Sequence, residues 1–249
     1  MPFDAHPRSS LIVALDFDSL SSAVKFAKQV ADVVGLFKIG NQLFTAAGPT
    51  AVKEISALGP GIFLDLKFHD IPNTVAGAVL SAAAMTGVQL VNVHALGGTT
   101  MLKAAAQAIS AGVPLGADRA RLLAVTILTS MDQKAMRETG ISGTPKNGVL
   151  KLAKLAKSAG VDGVVASVQE AKAIRKACGR EFLIVTPGVR PKENGKSATG
   201  KKDDQARTAT PTEAIRAGAD YIVVGRPILA ATEPRAAAQA IVDEIAASK

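Results

Sequence analysis

The sequence holds one cysteine, Cys178, which excludes an intrachain disulfide and leaves the fold to burial and hydrogen bonding. Cys178 closes an apparent helix, Gln169 to Cys178, with no neighbouring thiol or histidine, so it reads as a small buried residue. Histidine is nearly as scarce. His6, His69 and His94 are scattered and lack a spacing such as H-x-x-x-H, so no protein-built metal site is expected. There is no tryptophan and only one tyrosine, Tyr221, so the basic residues lack the interleaved aromatics that would favour nucleic-acid binding. Long hydrophobic runs are missing too. Hydrophobic residues make up 48% of the chain, but no run approaches the roughly 20 apolar residues a membrane-spanning helix needs. The opening Met1 to Arg8 lacks the basic start and continuous apolar stretch of a secretory signal, so a cytoplasmic location is expected.

What is present is a basic excess and a regular alternation. The net charge of +8 suits an anionic ligand, and most of it lies late in the chain: residues 1–125 carry 9 Lys and Arg against 8 Asp and Glu. Without interleaved aromatics this reads mainly as a solvated surface, and no nucleic-acid partner is expected. Short aliphatic runs recur at Leu11 to Leu15, Leu36 to Ile39, Ile62 to Leu66, Leu90 to Val93, Leu122 to Ile127, Gly163 to Val165, Phe182 to Val185 and Tyr221 to Val224. Alanine-rich segments with helical periodicity separate them, among them Leu20 to Val34, Thr74 to Thr86, Thr100 to Ala111 and Gly148 to Ala159. Eight apolar strands alternating with helices predict a parallel sheet covered on its outer face and closed as a (β/α)8 TIM barrel over residues 1–249, as one domain. An open doubly wound sheet is disfavoured, because no G-x-G-x-x-G turn follows the first strand. Two connections are too long for simple turns, Thr129 to Asn147 and Arg190 to Thr210. The second is rich in Lys, Gly and Asp, and is either a disordered insertion or a lid over an anionic ligand.

The polar residues cluster where the apolar runs end: Asp16 after the first, Lys38 in the second, Asp65 and Lys67 in the third, His94 after the fourth and Thr129 after the fifth. In a barrel those ends converge on one mouth. In Phe63-Leu64-Asp65-Leu66-Lys67-Phe68-His69-Asp70, strand alternation puts Asp65 and Lys67 on one side and Leu64, Leu66 and Phe68 on the other. Carboxylates flanking Lys67 favour its ammonium form and hold it in place, as a proton donor facing developing negative charge requires; a structural ion pair satisfies the bare spacing equally well. A phosphate site is expected after the last strand. Gly225 permits close backbone approach, Arg226 offers a forked cation, and Pro227 suits a first helical turn whose N–H groups face an anion. Gly188 and Arg190 lie in the preceding loop.

The string FLDLKFHDIPNT resembles the orotidine 5'-phosphate decarboxylase family, whose members make UMP in pyrimidine synthesis. The resemblance extends through VALD (Val13 to Asp16), FKIG (Phe37 to Gly40), VNVHALGG (Val91 to Gly98), LTSMD (Leu128 to Asp132), TPGVRP (Thr186 to Pro191) and VGRPI (Val224 to Ile228), in family order along nearly the whole chain. It implies decarboxylation of orotidine 5'-monophosphate without metal or organic cofactor, with Lys67 giving the proton to pyrimidine C6 in a network with Lys38, Asp65 and Asp70. It implies that Asp16 and Lys38 contact the ribose and Thr129 the pyrimidine, with Gln205, Arg190, Gly225 and Arg226 on the phosphate side. It further implies a homodimer in which Asp70 and Thr74 reach the neighbouring site. The Arg190-to-Gln205 spacing is longer than the commonest bacterial pattern. Sugar-phosphate relatives, 3-keto-gulonate 6-phosphate decarboxylase and hexulose-phosphate synthase, share D-x-K-x-x-D but carry an acidic metal ligand at the end of strand two, where this chain has Lys38.

Overall fold

Strand runs of three to eight residues and the helices between them follow one another around a closed parallel barrel. The computed structural model describes residues 6–112, 119–191 and 209–248. The strands are β1 (Leu11–Ala14), β2 (Leu36–Gly40), β3 (Gly61–Phe68), β4 (Val88–His94), β5 (Arg121–Val125), β6 (Gly163–Val165), β7 (Leu183–Thr186) and β8 (Tyr221–Val224), each hydrogen-bonded to the next and β8 to β1. The helices are α1 (Leu20–Val30), α2 (Asn41–Ala47), α3 (Pro49–Ser56), α4 (Pro72–Ala83), α5 (Gly98–Ala111), α6 (Gln133–Glu138), α7 (Pro145–Ser158), α8 (Val168–Cys178), α9 (Pro211–Arg216), α10 (Arg226–Leu229) and α11 (Pro234–Ala246). None of the described helices is long and apolar enough to cross a membrane.

Local chemistry sets where the helices begin. Ser19, Asp132, Thr144 and Ser167 each accept a backbone N–H of the first turn of α1, α6, α7 and α8, satisfying donors that have no helical partner. Thr210 and Glu213 form a reciprocal capping box on α9. Proline opens α3, α4, α7, α9 and α11, where its missing N–H costs nothing. Several expected boundaries move. Helix α7 starts at Pro145 rather than Gly148 because Thr144 caps it, and the connection after β5, too long for a simple turn, contains α6. Strand β3 runs on to Phe68, beyond the expected Leu66, while β5 stops at Val125, short of Ile127.

Alternation along the strands divides the apolar side chains into two layers. Ile12, Leu36, Phe63, Leu90, Leu123, Leu183 and Tyr221 fill the barrel interior, and their neighbours Leu11, Phe37, Ile62, Leu64, Val91, Leu122, Ile184 and Ile222 pack outward against the helices. Each such side chain contributes roughly 1.5 to 3 kcal/mol when fully buried. The packed interior stops partway up, and polar side chains take over at the C-terminal mouth: Lys38 stands two residues beyond Leu36, Asp65 two beyond Phe63 and Asn92 two beyond Leu90.

Candidate active site

Three strands bring a continuous set of charges together, and a fourth adds an amide. Asp16, just past β1, lies 3.2 Å from the Lys38 ammonium on β2, and Lys38 in turn lies 3.4 Å from Asp65 Oδ2 on β3. The other oxygen, Asp65 Oδ1, accepts from Lys67 Nζ at 2.7 Å and from Asn92 Nδ2 on β4 at 2.6 Å. Asp65 is 8% exposed; three donors from three strands compensate the loss of water around its carboxylate. The side chains thus alternate in sign, carboxylate, ammonium, carboxylate, ammonium, across the mouth.

The backbone at Lys67 is unusual. Its φ of 52° makes it the one non-glycine with positive φ among the described residues, a left-handed conformation that disfavours a long side chain. Pairing with β4 explains how it arises. Leu64 pairs with Val91 and Phe68 with Val93, so β3 advances four residues while β4 advances two, and Asp65 to Lys67 bulge from the ladder. The displaced Lys67 N–H donates to Asn92 Oδ1 at 2.8 Å. Asn92, fully buried, was not singled out from the sequence. The available signal was an uncharged amide inside the apolar run Val91-Asn92-Val93, since a buried amide needs partners.

The remaining candidates occupy other parts of the mouth. A cavity of about 350 Å³ has Ala14, Phe63, Val125, Val165 and Val223 as its apolar floor and wall. Asp16, Lys38, Asp65 and Lys67 line one side, Gly188, Arg190, Gly225 and Arg226 another, and Thr129 also faces it. Its size lies in the range of small-molecule sites. Arg226 opens α10 with Pro227 in the first turn and Gly225 as the cap, the arrangement expected after the last strand. The long segment after β7 has its ends tied together: Arg190 N–H donates to Ala209 O at 2.8 Å, and Val189 bridges to Ala209. Gln205 and most of the expected lid lie outside the described residues. Asp70 does not join the charge network within its own chain. It is exposed, and its Oδ1 accepts the N–H of Ile71 at 2.6 Å; Thr74, in the first turn of α4, is also exposed. His94 stacks on His69 with ring centroids 5.5 Å apart, and its Nδ1 accepts the N–H of Leu96. Burial, then the neighbouring His69 and Lys67, push the His94 pKa below the ordinary histidine value.

The profile of the orotidine 5'-phosphate decarboxylase / HUMPS family matches residues 9–241. The chain belongs to this family. It is 52% identical over 240 residues to orotidine 5'-phosphate decarboxylase of Geotalea uraniireducens (strain Rf4), covering 96% of each chain. It is 50% identical over 240 residues to the protein of that name from Geobacter sulfurreducens (strain ATCC 51573 / DSM 12127 / PCA), covering 96% of this chain and 97% of the relative. Among solved structures, orotidine 5'-phosphate decarboxylase from Lactobacillus acidophilus superposes with a TM-score of 0.81 at 40% identity, over 94% of this chain and 98% of that one. The family designation spans two branches, and the strand-two position bears on the choice between them: here an ammonium, Lys38, lies between two carboxylates.

Proposed function

We propose that the protein decarboxylates orotidine 5'-monophosphate to UMP, with Lys67 delivering the proton to C6 and no metal or organic cofactor taking part. The observation that carries this reading is the Asp16, Lys38, Asp65, Lys67 chain at the barrel mouth, in a protein whose relatives at about half identity bear the decarboxylase name. Breaking the bond between C6 and the carboxylate leaves an electron pair in the ring plane, without an adjacent group to delocalise it. Stabilisation then has to come from charge that is already in position. Lys67 Nζ supplies it: as carbon dioxide departs, the electron pair at C6 takes a proton from the ammonium, and the neutral amine regains one from water. Asp65 lies beside the leaving carboxylate, where its hydrogen bonds limit its movement.

The other residues divide between grip and assembly. Asp16 and Lys38 bind the ribose hydroxyls, Thr129 the pyrimidine, and Arg190, Gly225, Arg226 and Gln205 the phosphate. Binding energy realised at the phosphate, far from C6, orients the ring and so contributes to turnover as well as affinity. A homodimer with shared sites accounts for the exposure of Asp70 and Thr74 beside the apolar side chain of Ile71, which is 66% exposed. The metal-assisted chemistry of the sugar-phosphate branch is opposed by Lys38, whose positive charge stands where a cation ligand would be needed.

The test is to follow the ultraviolet absorbance of orotidine 5'-monophosphate with purified protein, with and without a chelator. Substrate loss at the same rate in both supports the proposal. No turnover overturns it, and turnover abolished by the chelator moves the protein to the metal-assisted branch.

A further inference from the structure

We propose that Asn92 is a positioning residue for the decarboxylation, holding the Lys67 backbone and the Asp65 carboxylate in one closed ring of hydrogen bonds. The inference rests on the decarboxylase reading above. The ring runs from Lys67 N–H to Asn92 Oδ1 at 2.8 Å, from Asn92 Nδ2 to Asp65 Oδ1 at 2.6 Å, and from Lys67 Nζ back to the same oxygen at 2.7 Å. One amide therefore determines both where the ammonium's main chain sits and where its counter-ion points.

Asparagine matches both demands. The Lys67 N–H can only donate and an ionised Asp65 can only accept, so the partner between them needs one acceptor and one donor about 2 Å apart on a rigid plane, and the carboxamide has both. Its orientation follows from those partners. Aspartate has the same shape but turns an acceptor toward an acceptor. Alanine leaves the Lys67 N–H and one Asp65 bond without the partner that a fully buried Asn92 supplies. The consequence is specific to Lys67, because the bulge has already removed its N–H from the β3–β4 ladder and its φ of 52° is intrinsically unfavourable for lysine. Without the amide, the residue relaxes toward ordinary strand geometry and carries the ammonium away from C6. Asn92 hydrogen-bonds to Lys67 and Asp65, whereas the proposed phosphate side of the cavity follows β7 and β8.

The experiment compares kcat, KM for orotidine 5'-monophosphate and affinity for UMP in wild type, Asn92→Ala and Asn92→Asp, with circular dichroism and thermal melting on each. A displacement of about 1 Å is expected to lower kcat about 100-fold in both variants, with KM and UMP affinity within about threefold of wild type. Unchanged kcat in a folded variant overturns the proposal, as does a loss confined to KM or a parallel loss of UMP affinity. If Asn92→Ala does not fold, the isosteric Asn92→Asp decides on the same criteria. Asn92→Asp failing to fold as well overturns the proposal, because Asn92 is then required for stability rather than for placing Lys67. Absence of turnover by the wild type defeats the decarboxylase reading itself, and is thereby distinguished from failure of this inference.

Discussion

Among the individual residues at the mouth, His94 carries a prediction about pH. Its folded pKa is depressed, so it stays neutral in the native protein while the unfolded chain takes up a proton near pH 6.5, and its contribution to stability is present above that value and lost as pH falls toward the folded pKa. Thermal melting between pH 7 and 5 should show this loss. His94→Asn, whose Oδ1 takes the place of the imidazole Nδ1 and keeps an acceptor for the Leu96 N–H, should flatten the slope; an identical slope in both proteins would remove His94 as its source. Lys38, Asp65 and Lys67 were legible in the sequence because a charge within an apolar strand has few explanations other than a site or an ion pair. The left-handed backbone of Lys67 was not, since lysine carries no preference for it and its cause lies in the pairing register with β4. Asn92 carries no charge to mark it in an apolar run.

Among the elements, two strand starts at the opposite end of the barrel repeat one device. Asp162, preceding β6, accepts the Leu122 N–H at 2.8 Å and a bidentate pair from Arg119 at 2.6 and 2.7 Å; Asp220, preceding β8, accepts the Ile184 N–H and Arg175, both at 2.7 Å. Each aspartate thus closes the N-terminal end of the preceding strand, on the face where barrels place stability rather than chemistry. Replacing Asp162 by Ala should cost about 1 to 3 kcal/mol in urea denaturation, since a charge-assisted contact and a backbone N–H lose their partner, while kcat of the folded protein stays the same. Reduced kcat with unaltered stability would instead connect this end to the chemistry. The eight-unit alternation was readable because strand and helix periods differ throughout. The short α6 was not, because Gln133 to Glu138 is mostly polar and depends on Asp132 for its start.

At the scale of the whole molecule, the sites are proposed to be completed between two copies. Asp70 was placed by resemblance in the Lys67 network, yet within its own chain it bonds only to the adjacent backbone in the described contacts. Mixing inactive Lys67→Ala and Asp70→Ala proteins under exchanging conditions should therefore restore activity. The site built on the Asp70→Ala chain keeps its own Lys67 and borrows Asp70, so each mixed dimer regains about half of wild-type activity when the pairing is two-fold symmetric. Proven exchange without recovery would show that Asp70 acts within its own chain.

Register and charge converge on Lys67. The deciding measurement is kcat for orotidine 5'-monophosphate in Lys67→Ala, taken together with its affinity for UMP. A group needed chiefly where charge develops should, when removed, abolish turnover and leave UMP binding close to wild type, because the proposed phosphate contacts, Arg190 and Arg226, line another side of the cavity. Near-wild-type kcat in that variant would contradict the assignment of the proton to Lys67.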